Sequence, residues 1–158
     1  MKLWTGVTDN DWFSFLSERG FDEVNFWQPS GQAPFTTLPA GTPFLFKLKR
    51  PHNHIAGGGY FATFSKLPLS MAWEAFGQKN GAATYLDVEQ RIRRLSSGER
   101  SVLEIGCSVL VQPFFFERKD WIPVPNWSPN IVKGQTYDTD TTEGAWLWNE
   151  VQQRLQDK

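Results

Sequence analysis

Glu23-Val24-Asn25-Phe26-Trp27-Gln28-Pro29-Ser30-Gly31 is the stretch on which the reading of this chain turns. Its first five residues alternate polar and apolar, the period-two signature of a β-strand. Pro29, Ser30 and Gly31 then break the strand into a turn. The break leaves a large indole, Trp27, at the strand's end among the hydrogen-bonding groups of Asn25, Gln28 and Ser30. An aromatic plate ringed by amides and hydroxyls suits a flat polar ligand. The competing reading is a core tryptophan at a strand end.

Outward from this stretch, Lys2 to Val7 reads as a first strand and Thr8-Asp9-Asn10-Asp11 as a helix start with acids in the first turn. The helix runs from about Asp9 to Arg19 with Trp12, Phe15 and Leu16 on one face, and Gly20 ends it. Pro29, Pro34 and Pro39 mark a surface loop, anchored by Phe35 and Leu38. Pro43 to Lys49 predicts a half-buried strand, with Phe44, Phe46 and Leu48 facing one way and Lys47 and Lys49 the other. The turn Arg50-Pro51-His52-Asn53-His54 leads into a strand from Ile55 to Phe64. Gly57-Gly58-Gly59 inside it predicts a bulge or a close backbone approach.

Helices are predicted over Ser70 to Phe76, Thr84 to about Ser96, and Thr142 to Leu155. Further strands are predicted over Gly106 to Phe116 and Asp120 to Val124, with Pro125 to Gly134 irregular. Five or six mostly antiparallel strands with three or four helices make an α+β chain. A bent sheet or open barrel with flanking helices fits better than a doubly wound parallel sheet.

The 158 residues suit a single domain over 1–158. A formal charge of −1 excludes a global basic field, so any nucleic-acid surface has to be a local patch. The one cysteine, Cys107, excludes an intramolecular disulfide and suits a reducing compartment. With no leader pattern and no apolar run long enough for a bilayer, the expectation is a cytoplasmic protein with no membrane partner.

Catalytic signatures are weak. Cys107 sits mid-strand as a small hydrophobe, and neither histidine can be paired with it. His52 and His54 stand two apart in a turn with no ligand cluster around them, so no metal is expected. Gly57-Gly58-Gly59 lacks the lysine and the following helix of a phosphate loop. No cofactor and no catalytic residue is expected.

Aromatic content is the outlier, with 8 Trp and 13 Phe but only 3 Tyr. Trp27 and Trp127 each open a Trp-polar-Pro turn, the second ending in Asn130, and Trp73 lies on a short helix. Together they are candidate walls of a base-sized cage, and stacking on such a plate contributes on the order of 1–3 kcal/mol per base. Asp9, Asn10, Asn25 and Gln28 have the right chemistry for a rim that reads a base edge. Lys47, Lys49, Arg50, His52 and His54 cluster on one strand and its turn; Arg91, Arg93, Arg94 and Arg100 form a second group. Such segregation suits phosphate contacts, although a charge run is more commonly a solvated face.

At the level of motifs, Trp4 to Phe13 (WTGVTDNDWF), Val24 to Gly31 (VNFWQPSG), Pro43 to Leu48 (PFLFKL), Gly57 to Phe61 (GGGYF) and Trp127 to Asp138 (WSPNIVKGQTYD) resemble the N-terminal domain of bacterial HNH-type restriction endonucleases. That domain is a PUA-superfamily module similar to EVE and YTH domains. The resemblance implies a PUA-like, bent, mostly antiparallel β-barrel with flanking helices. It implies a partner, double-stranded DNA carrying a modified base of the 5-methylcytosine or 5-hydroxymethylcytosine class, flipped into an aromatic pocket. It also implies a C-terminal HNH nuclease domain in the parent protein, absent from these residues, so that this chain reads without cutting.

Under the resemblance Trp27 is a cage wall, the Asp9/Asn10 region contacts the base, and Trp73 is a candidate second wall. Lys47, Lys49, Arg50 and His52, with Lys133, would hold phosphates. The alternatives are an RNA- or tRNA-binding PUA-like domain and a small PUA-like hydrolase.

Overall fold

A computed structural model describes residues 1–35, 37–95 and 103–157. Among these residues seven strands form one sheet: β1 (Lys2–Thr8), β2 (Glu23–Gln28), β3 (Pro43–Leu48), β4 (His54–Pro68), β5 (Glu104–Phe115), β6 (Ile122–Pro123) and β7 (Gly134–Asp138). The main path is β2-β5-β4-β3-β1-β7, with β6 paired to β4. All pairings are antiparallel except β1 with β3. Four α-helices accompany the sheet: α1 (Asn10–Ser17), α2 (Leu69–Phe76), α3 (Tyr85–Leu95) and α4 (Thr142–Gln156).

The sheet is strongly curled. Phe26 belongs to the outermost strand β2, yet its ring stacks on Phe46 of β3 at 6.0 Å and lies 4.8 Å from Phe44. Two strands, β5 and β4, separate β2 from β3 along the sheet, and only curling brings these rings together. Bulges in β4 permit the bend: its register against β5 shifts between Gly58 and Tyr60 and again between Phe61 and Thr63. A Cβ on Gly57 would stand 2.3 Å from the Phe114 carbonyl oxygen, so the glycine run serves close backbone approach.

Two apolar cores result. One, inside the curl, joins Trp12, Phe13 and Leu16 of α1 to Phe26, Trp27, Phe44, Phe46 and Leu48. The other lies on the far face, where Leu3, Leu45 and Ile55 meet Leu147 and Val151 of α4. This corrects the half-buried reading of β3. All six of its residues are buried, because α4 and the β6 region cover the face that alternation had assigned to solvent. Even Lys47 is 7% exposed.

The segment read as irregular up to Gly134 gives way at that residue to β7, a seventh strand antiparallel to β1. Phe35 and Leu38 pack against the first core as expected, Phe35 lying edge-on to Trp4 at 5.7 Å. No helix among the described residues is long and apolar enough to cross a membrane.

Candidate base-binding cavity

The ends of β1 and β2 and the start of α1 meet at a cavity of about 370 Å³. Val7, Thr8 and Asp9 line one side, Trp12, Phe26 and Trp27 the floor, and Gln28, Pro29 and Ser30 the turn beyond β2. Lys49, Leu95, Val132 and Lys133 stand around the mouth. The strand-to-turn break at Pro29 creates one wall. The Asp9 cap creates the other: its backbone is extended while its carboxylate accepts from the Asp11 N–H at 3.4 Å, turning the chain from strand into helix.

Both indoles on the floor are locked. Trp12 Nε1 donates to the Asn25 carbonyl at 3.2 Å and Trp27 Nε1 to the Asn80 carbonyl at 2.9 Å. Their hydrogen-bonding needs are met inside the protein, so they offer the cavity aromatic carbon. The polar groups lie higher. Among the described residues, the Gln28 amide, the Ser30 hydroxyl and the ammonium groups of Lys49 and Lys133 have no hydrogen-bonded partner. The Asp9 carboxylate is held 4.0 Å from Arg91 Nη1, which also donates to the Gly81 carbonyl at 2.7 Å. The result is an apolar, rigid floor under a mouth of free donors.

Asn80, which the sequence reading passed over, is the hub beneath this floor. It is fully buried in a 3₁₀ turn at Gly77–Asn80. Its Nδ2 donates to the carbonyls of Ala72 (3.1 Å) and Gly77 (2.8 Å), and its Oδ1 accepts from Asn25 Nδ2 at 2.8 Å. An isolated asparagine between a lysine and a glycine carries no signal in the sequence, because its partners lie up to 55 residues away.

Of the residues read as base-binding, Asp9, Trp27, Gln28 and Ser30 line one cavity. The others lie elsewhere. Asn25 is fully buried, and its amide Nδ2 donates inward to Asn80 Oδ1. Asn10 donates from Nδ2 to the Arg50 carbonyl at 3.1 Å, tying α1 to the turn after β3. Trp73 packs edge-on to Tyr85 at 6.3 Å, against the helical side of the core. Trp127 lines a neighbouring groove, and Asn130 is exposed and lines neither concavity.

The phosphate candidates divide too. Lys49 and Lys133 reach the cavity mouth. Lys47 and Arg50 line the neighbouring groove with Lys49, and His52 packs edge-on to Trp121 at 5.3 Å. Burial, with the nearby Arg50 cation adding to it, pulls the Lys47 pKa below the usual lysine range. Of the second basic group, Arg91 faces Asp9 and Arg93 pairs with Glu89 at 3.5 Å; Arg100 lies outside the described residues. The Cys107 thiol is buried and its pKa raised by that burial, in keeping with a core hydrophobe. Among the described residues no group of three His, Cys, Asp or Glu is placed to hold a metal ion.

The curled sheet with a parallel β1–β3 pair, flanking helices and a cavity at the strand ends is a PUA-like α+β fold. Its similarity to solved structures is of that class. An ASCH protein from Zymomonas mobilis superposes with a TM-score of 0.57 at 14% identity, over 92% of this chain and 94% of that one. Two point mutants of the Zymomonas mobilis protein, one tyrosine-to-phenylalanine and one serine-to-alanine, superpose with TM-scores of 0.53 and 0.55 at 10% identity. Each covers 93% of this chain. No protein-family model matches the chain, and no curated protein matches it in sequence.

Proposed function

We propose that this chain is a nucleic-acid-binding module that holds one unstacked base in the cavity over Trp27 and Trp12, and that its partner is RNA with an unpaired segment. The observation that carries this reading is the pairing of a locked aromatic floor with free ammonium groups at the mouth. The cavity falls within the ~300–1,000 Å³ common for small-molecule sites. Stacking supplies sequence-tolerant affinity, and Gln28, Ser30 and Asp9 supply donors and an acceptor for a base edge.

Unpaired RNA is favoured over a duplex on two grounds. Extruding a base from a duplex costs a few kcal/mol, which an unpaired base does not. The basic surface is also small, with Lys49 and Lys133 at the mouth and Lys47 and Arg50 beyond, in a chain of net charge −1. Duplex binders that depend on phosphate contacts commonly make about 6–10 of them. Binding rather than turnover is the role we assign, because Asp9, the only carboxylate among the described residues that line the cavity, is fixed by the α1 cap and by Arg91 at 4.0 Å, which leaves it an oriented acceptor and not a free general base.

A second, narrower reading takes a 5-substituted cytosine in duplex DNA as the ligand, within a modification-dependent restriction endonuclease. It rests on the resemblance of Trp4–Phe13 and Val24–Gly31 to that family's N-terminal domain. A single extra methyl against the aromatic floor contributes only about 0.8 kcal/mol, so this role needs a further contact from Gln28 or Ser30.

Fluorescence anisotropy on four probes of one sequence tests both readings: single-stranded RNA, single-stranded DNA, and duplex DNA with and without 5-methylcytosine. Single-stranded RNA is expected to bind tightest, and Lys49→Gln to flatten the log–log salt dependence by about 0.7. Preference for the methylated duplex would establish the narrower reading instead. Absence of salt-dependent binding to every probe would overturn both.

A further inference from the structure

We infer that the groove beside the base cavity is a second nucleotide subsite, with Trp127 as its stacking surface and Lys49 holding the phosphate that joins the two nucleotides. The inference rests on the base-binding reading of the first cavity. The groove, about 770 Å³, is lined by Lys47, Lys49, Arg50, His54 and Trp127 among others, and by no carboxylate among the described residues. It shares Val7 and Lys49 with the first cavity, so the two concavities adjoin along the end of β1. The wall between them is fixed: Val7 N–H donates to the Lys133 carbonyl at 2.9 Å, and Lys49 N–H to the Thr8 carbonyl at 3.3 Å.

Trp127 is half-buried, and the Lys47 ammonium lies over its ring, 5.1 Å from the centroid. Lys47 is itself steadied by a hydrogen bond to Asn53 Oδ1 at 3.1 Å. Burying the Lys47 cation costs free energy that the indole contact and the Asn53 bond offset only in part. It is compensated once a phosphate approaches. Among the described residues, the only charged group common to both concavities is Lys49, whose ammonium has no internal partner there. A linking phosphate placed there puts one base over Trp27 and its neighbour over Trp127. The ligand is therefore single-stranded nucleic acid at least a dinucleotide long, and the arrangement explains why two Trp-polar-Pro turns occur in one small chain.

Calorimetric titration of the intact chain with a ribonucleoside monophosphate, a ribodinucleotide and a short single-stranded oligonucleotide tests this. The dinucleotide is expected to bind more tightly than the monophosphate. Trp127→Ala should weaken the dinucleotide roughly 5- to 100-fold, the range for loss of one stacked base, with the monophosphate unaffected. Trp127→Phe should restore most of the loss and guards against misfolding of the alanine variant. Lys49→Gln should weaken the dinucleotide more than the monophosphate. Equal affinity for all three ligands, with Trp127→Ala silent, would overturn the second subsite and leave the first cavity standing. Failure of every ligand to bind would instead overturn the base-binding reading and the subsite with it.

Discussion

Replacing Asn80 by alanine tests whether the floor of the cavity is held as the geometry requires. The substitution removes two donated hydrogen bonds, to Ala72 and Gly77, and one accepted from Asn25. Each buried bond contributes about 0.5–1.5 kcal/mol net, and each buried group left unpaired adds a desolvation cost of about 1–3 kcal/mol. Asn25 suffers most: its buried Oδ1 already has no hydrogen-bond partner among the described residues, and the variant takes the acceptor Asn80 Oδ1 away from its Nδ2 as well. Water has little access, since Asn25 and Asn80 are both fully buried. The expected loss is about 3–5 kcal/mol, a large share of the ~5–15 kcal/mol that stabilises a typical domain. At about 2–4 °C per kcal/mol for a chain of this size, Tm should fall by roughly 6–20 °C in thermal unfolding followed by circular dichroism. The bond from Trp27 Nε1 goes to the backbone of residue 80, so it survives, and a folded variant keeps its indole plate. Asn80→Asp should be worse at neutral pH and partly recover on acidification, because only a protonated carboxyl can donate to a carbonyl. A Tm within about 3 °C of the parent for Asn80→Ala would refute the hub.

Two further perturbations probe the frame around the cavity. Gly81 has φ +90°, and a Cβ there would stand 2.0 Å from Trp12 Cδ1, so Gly81→Ala combines backbone strain with overpacking. It should cost at least about 2 kcal/mol in urea unfolding and, by displacing the Trp12 ring, weaken nucleotide binding in the same variant. The Asp138 carboxyl is held below the usual range first by the Asp140 N–H at 2.9 Å and also by the N-terminal ammonium at 3.6 Å. Its contribution is therefore present above the ordinary aspartate pKa and lost as pH falls through the lowered folded value. Tm measured across acidic pH should drop less steeply for Asp138→Asn than for the parent.

The parts of the fold legible in the sequence are those whose signals are local. The Asp9 cap, the β2 strand with its turn, the glycine run of β4 and the anchors Phe35 and Leu38 each announce themselves within a few residues and stand where the pattern puts them, although polar Asn25 of β2 is buried like its apolar neighbours. What escaped depends on distant partners. β7 has only five residues, two of them glycine and aspartate, and exists because β1 offers it an edge. Burial of Leu45 needs α4 and that of Lys47 needs the segment carrying Trp127, both far downstream in the chain. Trp73 and Trp127 share residue type with Trp27 but not its place, since chemistry alone does not say which side of a curled sheet a side chain reaches.

The aromatic excess that first singled out this chain has one structural cause with two consequences. Trp12, Phe26 and Trp27 are 3%, 5% and 8% exposed, so they belong to the core, yet each also lines the cavity. Core and binding wall are the same side chains seen from opposite sides. Burial at position 27 therefore does not by itself decide between a core tryptophan and a binding one. It does decide how the site has to be tested. Trp27→Ala removes a buried indole, at a typical cost of about 3–5 kcal/mol, and would abolish binding by unfolding whatever the role of the ring. Trp27→Phe keeps an aromatic face and gives up the Nε1 bond to Asn80, which also releases the ring from its fixed angle. If the plate matters for stacking, that variant should stay folded and lose affinity through a faster off-rate, with the salt dependence set by Lys49 and Lys133 unchanged. A Trp27→Phe protein that folds and binds every nucleotide as the parent does would show the indole to be core alone, and the cavity above it to be without this use.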